Sequence, residues 1–363
     1  MSEVSVLPDI TKDDRPFYEK WQEMEGIDTI KGMFIEDLRK VPLKPWKRKG
    51  GRGGFINLEG AGGENDAYVC EIPPGGSLLP QRHMFEETIF VLEGRGSTAI
   101  WNEGGAKQSF EWQPGSLFSP PLNTWHQHFN AQGDKPVRYV AVTLAPLMTN
   151  VFHNRDFVFN NPFQFTDRYE GQDDYFSRGR LCKTSGFWGS RIWESNFVPD
   201  VLKRDLIEWK ERGTGAKSMF FELSENSIAA HISEFPVGTY KKAHRHGPGF
   251  HITIVSGEGY TLMWEEGKPI QRYDWKVGSM IVPPERWFHQ HFNAGEEPAK
   301  YLALHGRFSR KHSSGMKDWG VDTNVKEGGD QIEYEDEEPV VREMFEKELA
   351  KRGVQCRMPK FKE

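Results

Sequence analysis

Apolar and polar positions along the chain fall into short runs broken by glycine and proline. Residues 88–92 with 97–101, and 252–255 with 260–264, are paired runs rich in β-branched and aromatic side chains, each pair joined by a Gly-containing turn. This pattern predicts two β-hairpins. LFSPPLNTWHQHFN from Leu117 and MIVPPERWFHQHFN from Met280 read as strand, Pro-Pro corner, strand, with proline tolerated because the chain turns there. Many short strands at such spacing suggest a small antiparallel sandwich or barrel. Helical periodicity is confined to the flanks. Phe17–Glu25 is one candidate. Pro339–Arg352 is the better one, with proline in its first turn, Val340, Val341, Met344, Phe345 and Leu349 on one stripe, and Gly353 as a stop. The stretch 151–215, opening with FHNRDFVFNNPFQF, reads as a structured crossover.

The strand pattern occurs twice. An offset of 163 residues aligns Gly75–Ala131 with Gly238–Ala294 without a gap, and 22 of the 57 positions are identical, including Gly94/Gly257, Trp112/Trp275, Gly115/Gly278, Pro120/Pro283 and the run His-Gln-His-Phe-Asn-Ala. Such agreement requires a duplication, and so long a period suits two copies of one domain, not a solenoid.

Composition changes this picture little, but it excludes several functions. The chain has 363 residues, enough for two or three domains that each bury a core. With 47 basic and 53 acidic residues, a net charge of −6 and no Lys/Arg-rich stripe, nucleic acid is not an expected partner. Cys70, Cys182 and Cys356 are scattered and form no CxxC, which speaks against a disulfide framework or a thiolate zinc site and fits a reducing cytosol. The N-terminus lacks an apolar signal core, and no run of about 18 apolar residues follows. The expectation is a soluble, cytoplasmic protein with no membrane contact. The 37 Gly, 22 Pro and 12 His are conspicuous.

Eight of the twelve histidines lie in the two copies: His83, His126 and His128, then His244, His246, His251, His289 and His291. Residues i and i+2 of a strand share a face, so His244 and His246 can present two imidazoles to one point while Arg245 turns away. His289, about 45 residues later and just past a Pro-Pro corner, can return on a neighbouring strand. Three neutral imidazoles suit a divalent transition metal and leave cis positions open for substrate and for dioxygen or water. His153, His231, His305 and His312 read as hydrogen-bonded structural residues. Trp125, Trp287 and Phe288 read as core packing before a pocket roof.

These residues carry a resemblance. G(x)5HxH(x)3–4E(x)6G followed by G(x)4–5P and H(x)3N is similar to the two motifs of the cupin superfamily. Gly238, His244, His246 and Gly257 match the first motif in the second copy, and Gly278, Pro283, His289 and Asn293 match the second motif. In the first copy Gly75, His83, Glu87, Gly94, Gly115, Pro120, His126 and Asn130 match, with Gln81 where the first His would stand. The resemblance, over roughly 50–145 and 218–306, implies an all-β bicupin: two jelly-roll (double-stranded β-helix) barrels with flanking helical segments. The expected division is an N-terminal extension over 1–49, barrel 1 over 50–148, a crossover over 149–216, barrel 2 over 217–308, and a C-terminal tail with a helix over 309–363.

The resemblance implies metal ligands His244, His246 and His289 in barrel 2, and the set His83, Glu87 and His126 in barrel 1, flanked by Gln81. The acidic ligand is absent from barrel 2, where Phe250 aligns with Glu87 and His251 with Thr88. A preserved register points Phe250 inward and His251 outward; a one-residue shift absorbed by Gly-Pro-Gly at 247–249 makes His251 a fourth ligand. His128 and His291 are expected to line the pocket or to support the ligands, and Arg245, Arg286 or Lys242 to meet a substrate carboxylate. The favoured reading is an Fe(II) dioxygenase that cleaves a C–C bond of a small chelating substrate, an aromatic hydroxy acid or a diketone, as in gentisate-type cupins. The alternatives are a Mn- or Zn-dependent decarboxylase, isomerase or hydrolase, and a non-catalytic small-molecule-binding bicupin. Iron(II) is the expected metal, with Mn, Zn, Ni or Cu in reserve. A homo-oligomer is expected because the terminal segments can clasp a partner and close sheet edges.

Overall fold

The computed structural model describes residues 14–183, 191–306, 309, 320 and 322–360. Each copy folds as a sandwich of one large and one small sheet, giving two jelly-roll barrels. In barrel 1 the large sheet runs through Gly51–Leu58, Asp66–Ile72, Val137–Thr143, Glu87–Glu93 and Leu117–Phe118, and the small one is Trp125–Asn130, Gly96–Trp101 and Gln108–Trp112. In barrel 2 the large sheet runs through Lys217–Leu223, Ala229–Phe235, Ala299–His305, His251–Ser256 and Met280–Ile281. Its small sheet holds Gln271–Trp275, Gly259–Trp264, Phe288–Asn293 and Ala243–His244. The strands of both expected hairpins form but do not pair with each other: Glu87–Glu93 and His251–Ser256 lie in the large sheets and Gly96–Trp101 and Gly259–Trp264 in the small ones, so each Gly-containing turn carries the chain from one sheet to the other. Both expected helices form, over Phe17–Glu25 and Pro339–Arg352. Val340 departs from its stripe: it is exposed, while Val341, Phe345 and Leu349 are buried.

The two large sheets lie back to back. Ile56, Val69, Phe90, Val140 and Val142 of barrel 1 share one core with Phe221, Ala230, Ile232, Leu302 and Leu304 of barrel 2. Their strands are therefore covered on both faces and read as nearly continuous apolar runs. The run His-Gln-His-Phe-Asn shows the converse. In Trp125–Asn130 full burial alternates with partial burial, whereas Phe288–Asn293 is buried throughout because the C-terminal helix lies over it: Phe292 packs with Val341, Phe345 and Leu349.

The halves also exchange strands. Phe34–Ile35 pairs with Met280–Ile281 of barrel 2, and Phe197–Val198 pairs with Leu117–Phe118 of barrel 1. The turn glycines of the repeat make this possible. Gly278 and Gly115 have φ +95° and +91°, and a Cβ on either would stand 2.5 Å from Asp37 Oδ1 or 2.8 Å from Asp200 Oδ1. The equivalent units thus begin near Thr29 and Ile192, each on a strand parallel to the first barrel strand, well upstream of the 57 aligned positions. Segments expected as an extension and a crossover are in these parts duplicated barrel components. The repeat is hard to see there because the spacing shifts by two residues and back: Thr29 pairs with Phe55 but Ile192 with Phe220, whereas Phe55 pairs with Tyr68 and Phe220 with His231. Phe34–Ile35 and Phe197–Val198 thus cover the sheet edges at Met280–Ile281 and Leu117–Phe118 within the chain. Among the described residues no helix is long and apolar enough to cross a membrane.

Candidate metal centres

In barrel 2, Ala243–His244 pairs with Phe288–Asn293 so that His244 faces His289 directly. Strand alternation adds His246 on the same side. The ring centroids of His289 lie 4.1 Å from His244 and 4.6 Å from His246, and one donor atom from each of the three falls within 4.8 Å of the others. Each Nδ1–H donates to a nearby carbonyl: His244 to Lys242 (3.3 Å), His246 to Gly247 (2.7 Å) and His289 to Trp287 (3.3 Å). This fixes the tautomer that leaves Nε2 as the acceptor. His289 Nε2 is buried without a hydrogen-bond partner among the described residues. Converging lone pairs with no donor between them repel one another, and a cation relieves that repulsion, so the donor set fits a divalent metal. Burial, followed by the nearby Gly247 carbonyl acting in opposition, leaves His246 at about 4; burial, then Arg212, puts His244 well below its ordinary value, and burial, then the adjoining His246 and His291 rings, does the same for His289. All three are neutral, as ligands must be.

His251 is not in this cluster. The register of Glu87–Glu93 is kept in His251–Ser256, so Phe250 occupies the place of Glu87 and packs on His246 (3.8 Å) and His305 (4.3 Å). His251 projects from the opposite face of the strand, the face that carries Val255 into the core between the barrels. Its Nδ1 meets the Gly249 carbonyl, and burial lowers its pKa to about 4. The one-residue shift that would bring it inward is absent.

In barrel 1, donor atoms of His83, Glu87 and His126 also lie within 4.8 Å of one another. His83 and His126 donate through Nδ1 to the carbonyls of Phe85 (2.8 Å) and Thr124 (3.0 Å), and both Nε2 atoms and Glu87 Oε1 are buried without partners. This set fits a divalent metal by the same argument. Behind it stands a polar chain: Lys49 Nζ donates to Tyr68 OH (2.6 Å), which donates to Glu87 Oε2 (2.5 Å), while Lys49 Nζ itself lies 3.9 Å from that oxygen. Burial works against the carboxylate charge, but Lys49, the two imidazoles and Tyr68 together hold Glu87 at about 2. Burial takes His83 to about 3 and His126 to about 4, with Glu87 opposing it in both. Gln81 forms a backbone bridge with His126; its Oε1 accepts from Arg48 (3.3 Å) and its Nε2 is unpartnered.

The remaining expectations divide. His128 and His291 support the barrels identically, each Nδ1 lying 2.7 Å from a threonine hydroxyl, Thr98 or Thr261, that also accepts from Trp112 or Trp275. Arg245, Arg286 and Lys242 do not point to a substrate position: the two arginines bind Asp330 and the lysine binds Glu333 (2.5 Å). Surface cations beside a tail of opposite charge pair with it first. His231 and His305 hydrogen-bond each other at 3.3 Å, and His153 ends the helix Ala145–Phe152, both structural roles; His312 lies outside the described residues. Phe288 is buried under the Arg245 guanidinium, and Trp125 stacks on Trp101.

Sequence reading missed the interior cations. Lys241 is 1 % exposed and donates to the hydroxyls of Ser233 and Tyr301, the latter at 2.8 Å; no carboxylate among the described residues lies within ion-pair distance of it. Its backbone N–H bonds the His291 carbonyl, and Tyr301 packs on the His291 ring. Arg212, also buried, bonds Gln331 and lies 3.9 Å from Asp322. One signal was available: the offset of 163 that aligns the barrels also aligns Lys49 with Arg212.

Residues 68–143 match the family described as the cupin domain. No curated protein matches the chain. Among solved structures, a mutant of Bacillus subtilis oxalate decarboxylase superposes with a TM-score of 0.51 at 14% identity, over 77% of this chain and 78% of that one. A second structure of the enzyme, from work on its Mn(II) centres, gives 0.50 at 15% identity over 77% and 78%. At such identities the likeness concerns the fold: the chain is a bicupin in architecture, with donor sets for divalent metal in both barrels.

Proposed function

We propose that this chain is a metal-dependent bicupin enzyme whose reaction centre lies in barrel 2 and whose substrate is a small anion with adjacent oxygens, broken at a C–C bond. The observation that carries the reading is the buried triad of His244, His246 and His289, with acceptors converging on one point, in a barrel whose interior also holds Lys241 and Arg212. When bound there, a divalent metal supplies Lewis-acid polarisation of the substrate oxygens. Every other part belongs to the chain. Three neutral imidazoles leave the ion's charge undiminished, so an anionic chelator is favoured over water. Lys241, held by Ser233 and Tyr301, offers a charge-assisted hydrogen bond to a carboxylate, and burial pushes its pKa well below that of an ordinary lysine, so Nζ can also yield a proton to a carbanionic product. Phe250 keeps the wall beside His246 apolar and dry.

Two reactions suit this arrangement. Redox-neutral decarboxylation under Mn(II) is the leading one, supported by the fold shared with a decarboxylase whose reported centres are Mn(II). Iron(II)-dependent dioxygenation is the second; it is favoured by Phe250 standing where barrel 1 has Glu87. Anaerobic purification with metal quantification, followed by CO2 release and oxygen uptake on small dicarboxylates, hydroxy acids and diketones, separates them. Manganese with CO2 release and no net oxygen demand is expected. Iron with stoichiometric oxygen uptake would select the second reaction, and a chain whose metal content is indifferent to His246→Ala would overturn both.

A further inference from the structure

The metal triad of barrel 2 is not held by the barrel alone. The C-terminal segment places Gln331–Ile332 as an additional strand beside Ala243–His244, with His244 opposite Gln331. One residue earlier, the Asp330 carbonyl accepts from the backbone N–H of Arg245 (3.0 Å), and its carboxylate accepts from Arg245 Nε (2.9 Å) and from Arg286 Nη1 (2.8 Å) and Nη2 (2.7 Å). Arg245 sits between His244 and His246. Arg286 precedes His289 by three residues, has φ +63°, unusual for a side chain of its size, and donates its own N–H to the His246 carbonyl (2.9 Å). One carboxylate thus ties together the two chain segments that carry all three imidazoles.

Barrel 1 solves the same problem differently. The residue equivalent to Arg286 is Asn123, also at positive φ (+54°), and its Nδ2 donates to the carbonyls of Asn161 and Phe163, in the segment that follows barrel 1. In each barrel the corner before the last histidine is pinned from outside the barrel, once through an amide and once through an ion-paired clamp. The clamp is charge-assisted, and its carboxylate is only 15% exposed.

We infer that Asp330 is a positioning residue of the barrel 2 metal centre: the C-terminal segment completes the site by fixing Arg245 and Arg286, and through them the spacing of His244, His246 and His289. The inference rests on the metal reading proposed above. Orienting partners of this kind typically change metal affinity by about 10- to 100-fold.

The test uses the full chain loaded with Co(II), read by chelator competition and by its visible absorption, with His246→Ala marking the signal of barrel 2. Asp330→Asn is expected to weaken Co(II) in barrel 2 about tenfold and to alter its absorption bands, while the barrel 1 signal stays unchanged. Amide exchange of the metal-free protein should quicken at residues 243–246 and 286–289 alone. Arg286→Asn, which tolerates positive φ but removes the guanidinium, should act in the same direction and guards against misfolding of the first variant. If His246→Ala abolishes the signal but Asp330→Asn and Arg286→Asn bind with wild-type affinity and spectrum, the positioning role is overturned and the metal reading stands. If His246→Ala changes nothing, the metal reading fails and the positioning role falls with it.

Discussion

Glu87 in barrel 1 faces two imidazoles with Lys49 and Tyr68 behind it, whereas 163 residues later Phe250 packs on His246 beside a cluster of three imidazoles, with Lys241 and Arg212 in the interior. The frames are equivalent down to the Trp-Thr-His chains Trp112–Thr98–His128 and Trp275–Thr261–His291. Inside these frames the charge differs. In barrel 1 an internal cation answers the carboxylate, so the site is balanced before anything binds. In barrel 2 Lys241 Nζ has only hydroxyl partners among the described residues, and a buried charge without a counter-charge is costly. An anion entering with the metal removes that cost. A duplicated fold has thus kept its scaffold and diverged in what its interior requires.

The hardest blow to this comparison comes from the ligands. His246→Ala or His289→Ala should remove the barrel 2 metal and reduce turnover on the order of 10³-fold or more, while His83→Ala should leave the barrel 2 metal in place. Metal stoichiometry with steady-state kinetics checks both, and the reverse pattern would move the reaction centre to barrel 1.

Acid should expose the same asymmetry in the metal-free protein. His231, His244, His246, His251, His289, His291 and His305 in barrel 2, against His83, His126 and His128 in barrel 1, all titrate below their ordinary value, first because they are buried. With folded pKa values below the unfolded one near 6.5, the unfolded chain takes up protons first. Stability is therefore full above about pH 6.5 and lost as pH falls towards about 4, by up to about 1.4 kcal/mol per pH unit for each histidine. Barrel 2, with seven, should open before barrel 1, with three; hydrogen exchange at pH 7 and pH 5 measures the order.

Lys241→Met should leave metal content unchanged and lower kcat/KM by about 10²–10³-fold, the usual cost of removing one partner of a buried charge pair. Unchanged kinetics would show that the substrate lies elsewhere.

How far these features were legible depends on the distance over which each is encoded. The triad is written in a two-residue alternation and a repeated hexapeptide, so His244, His246 and His289 could be placed together from spacing alone. The outward turn of His251 was one of two readings open to the sequence, because only pairing with Ala299–His305 fixes the register. Lys49, Tyr68 and Lys241 carry no local motif and reach the interior through turns and neighbouring strands. The exchanged strands Phe34–Ile35 and Phe197–Val198 are two residues long, too short for periodicity to register. Arg245 and Arg286 looked free for substrate because Asp330 is 44 residues or more away along the chain.

The smallest effect sharpens the comparison most. Gln81 bridges His126 as His244 bridges His289, so Gln81→His should point a third imidazole at the barrel 1 donor set and complete three histidines and one carboxylate. A strong nitrogen donor replacing a weak amide should tighten Mn(II) in barrel 1 about tenfold, measured by competition in a His246→Ala background so that barrel 2 is silent. The gain is held to this size by Lys49: its ammonium already answers Glu87, and a divalent ion must share that carboxylate with it. Adding Lys49→Met should therefore increase affinity further, because Tyr68 still donates to Glu87 while the competing charge is gone. If the double variant binds no better than Gln81→His, Lys49 does not compete with the metal, and the difference between the barrels reduces to their ligands.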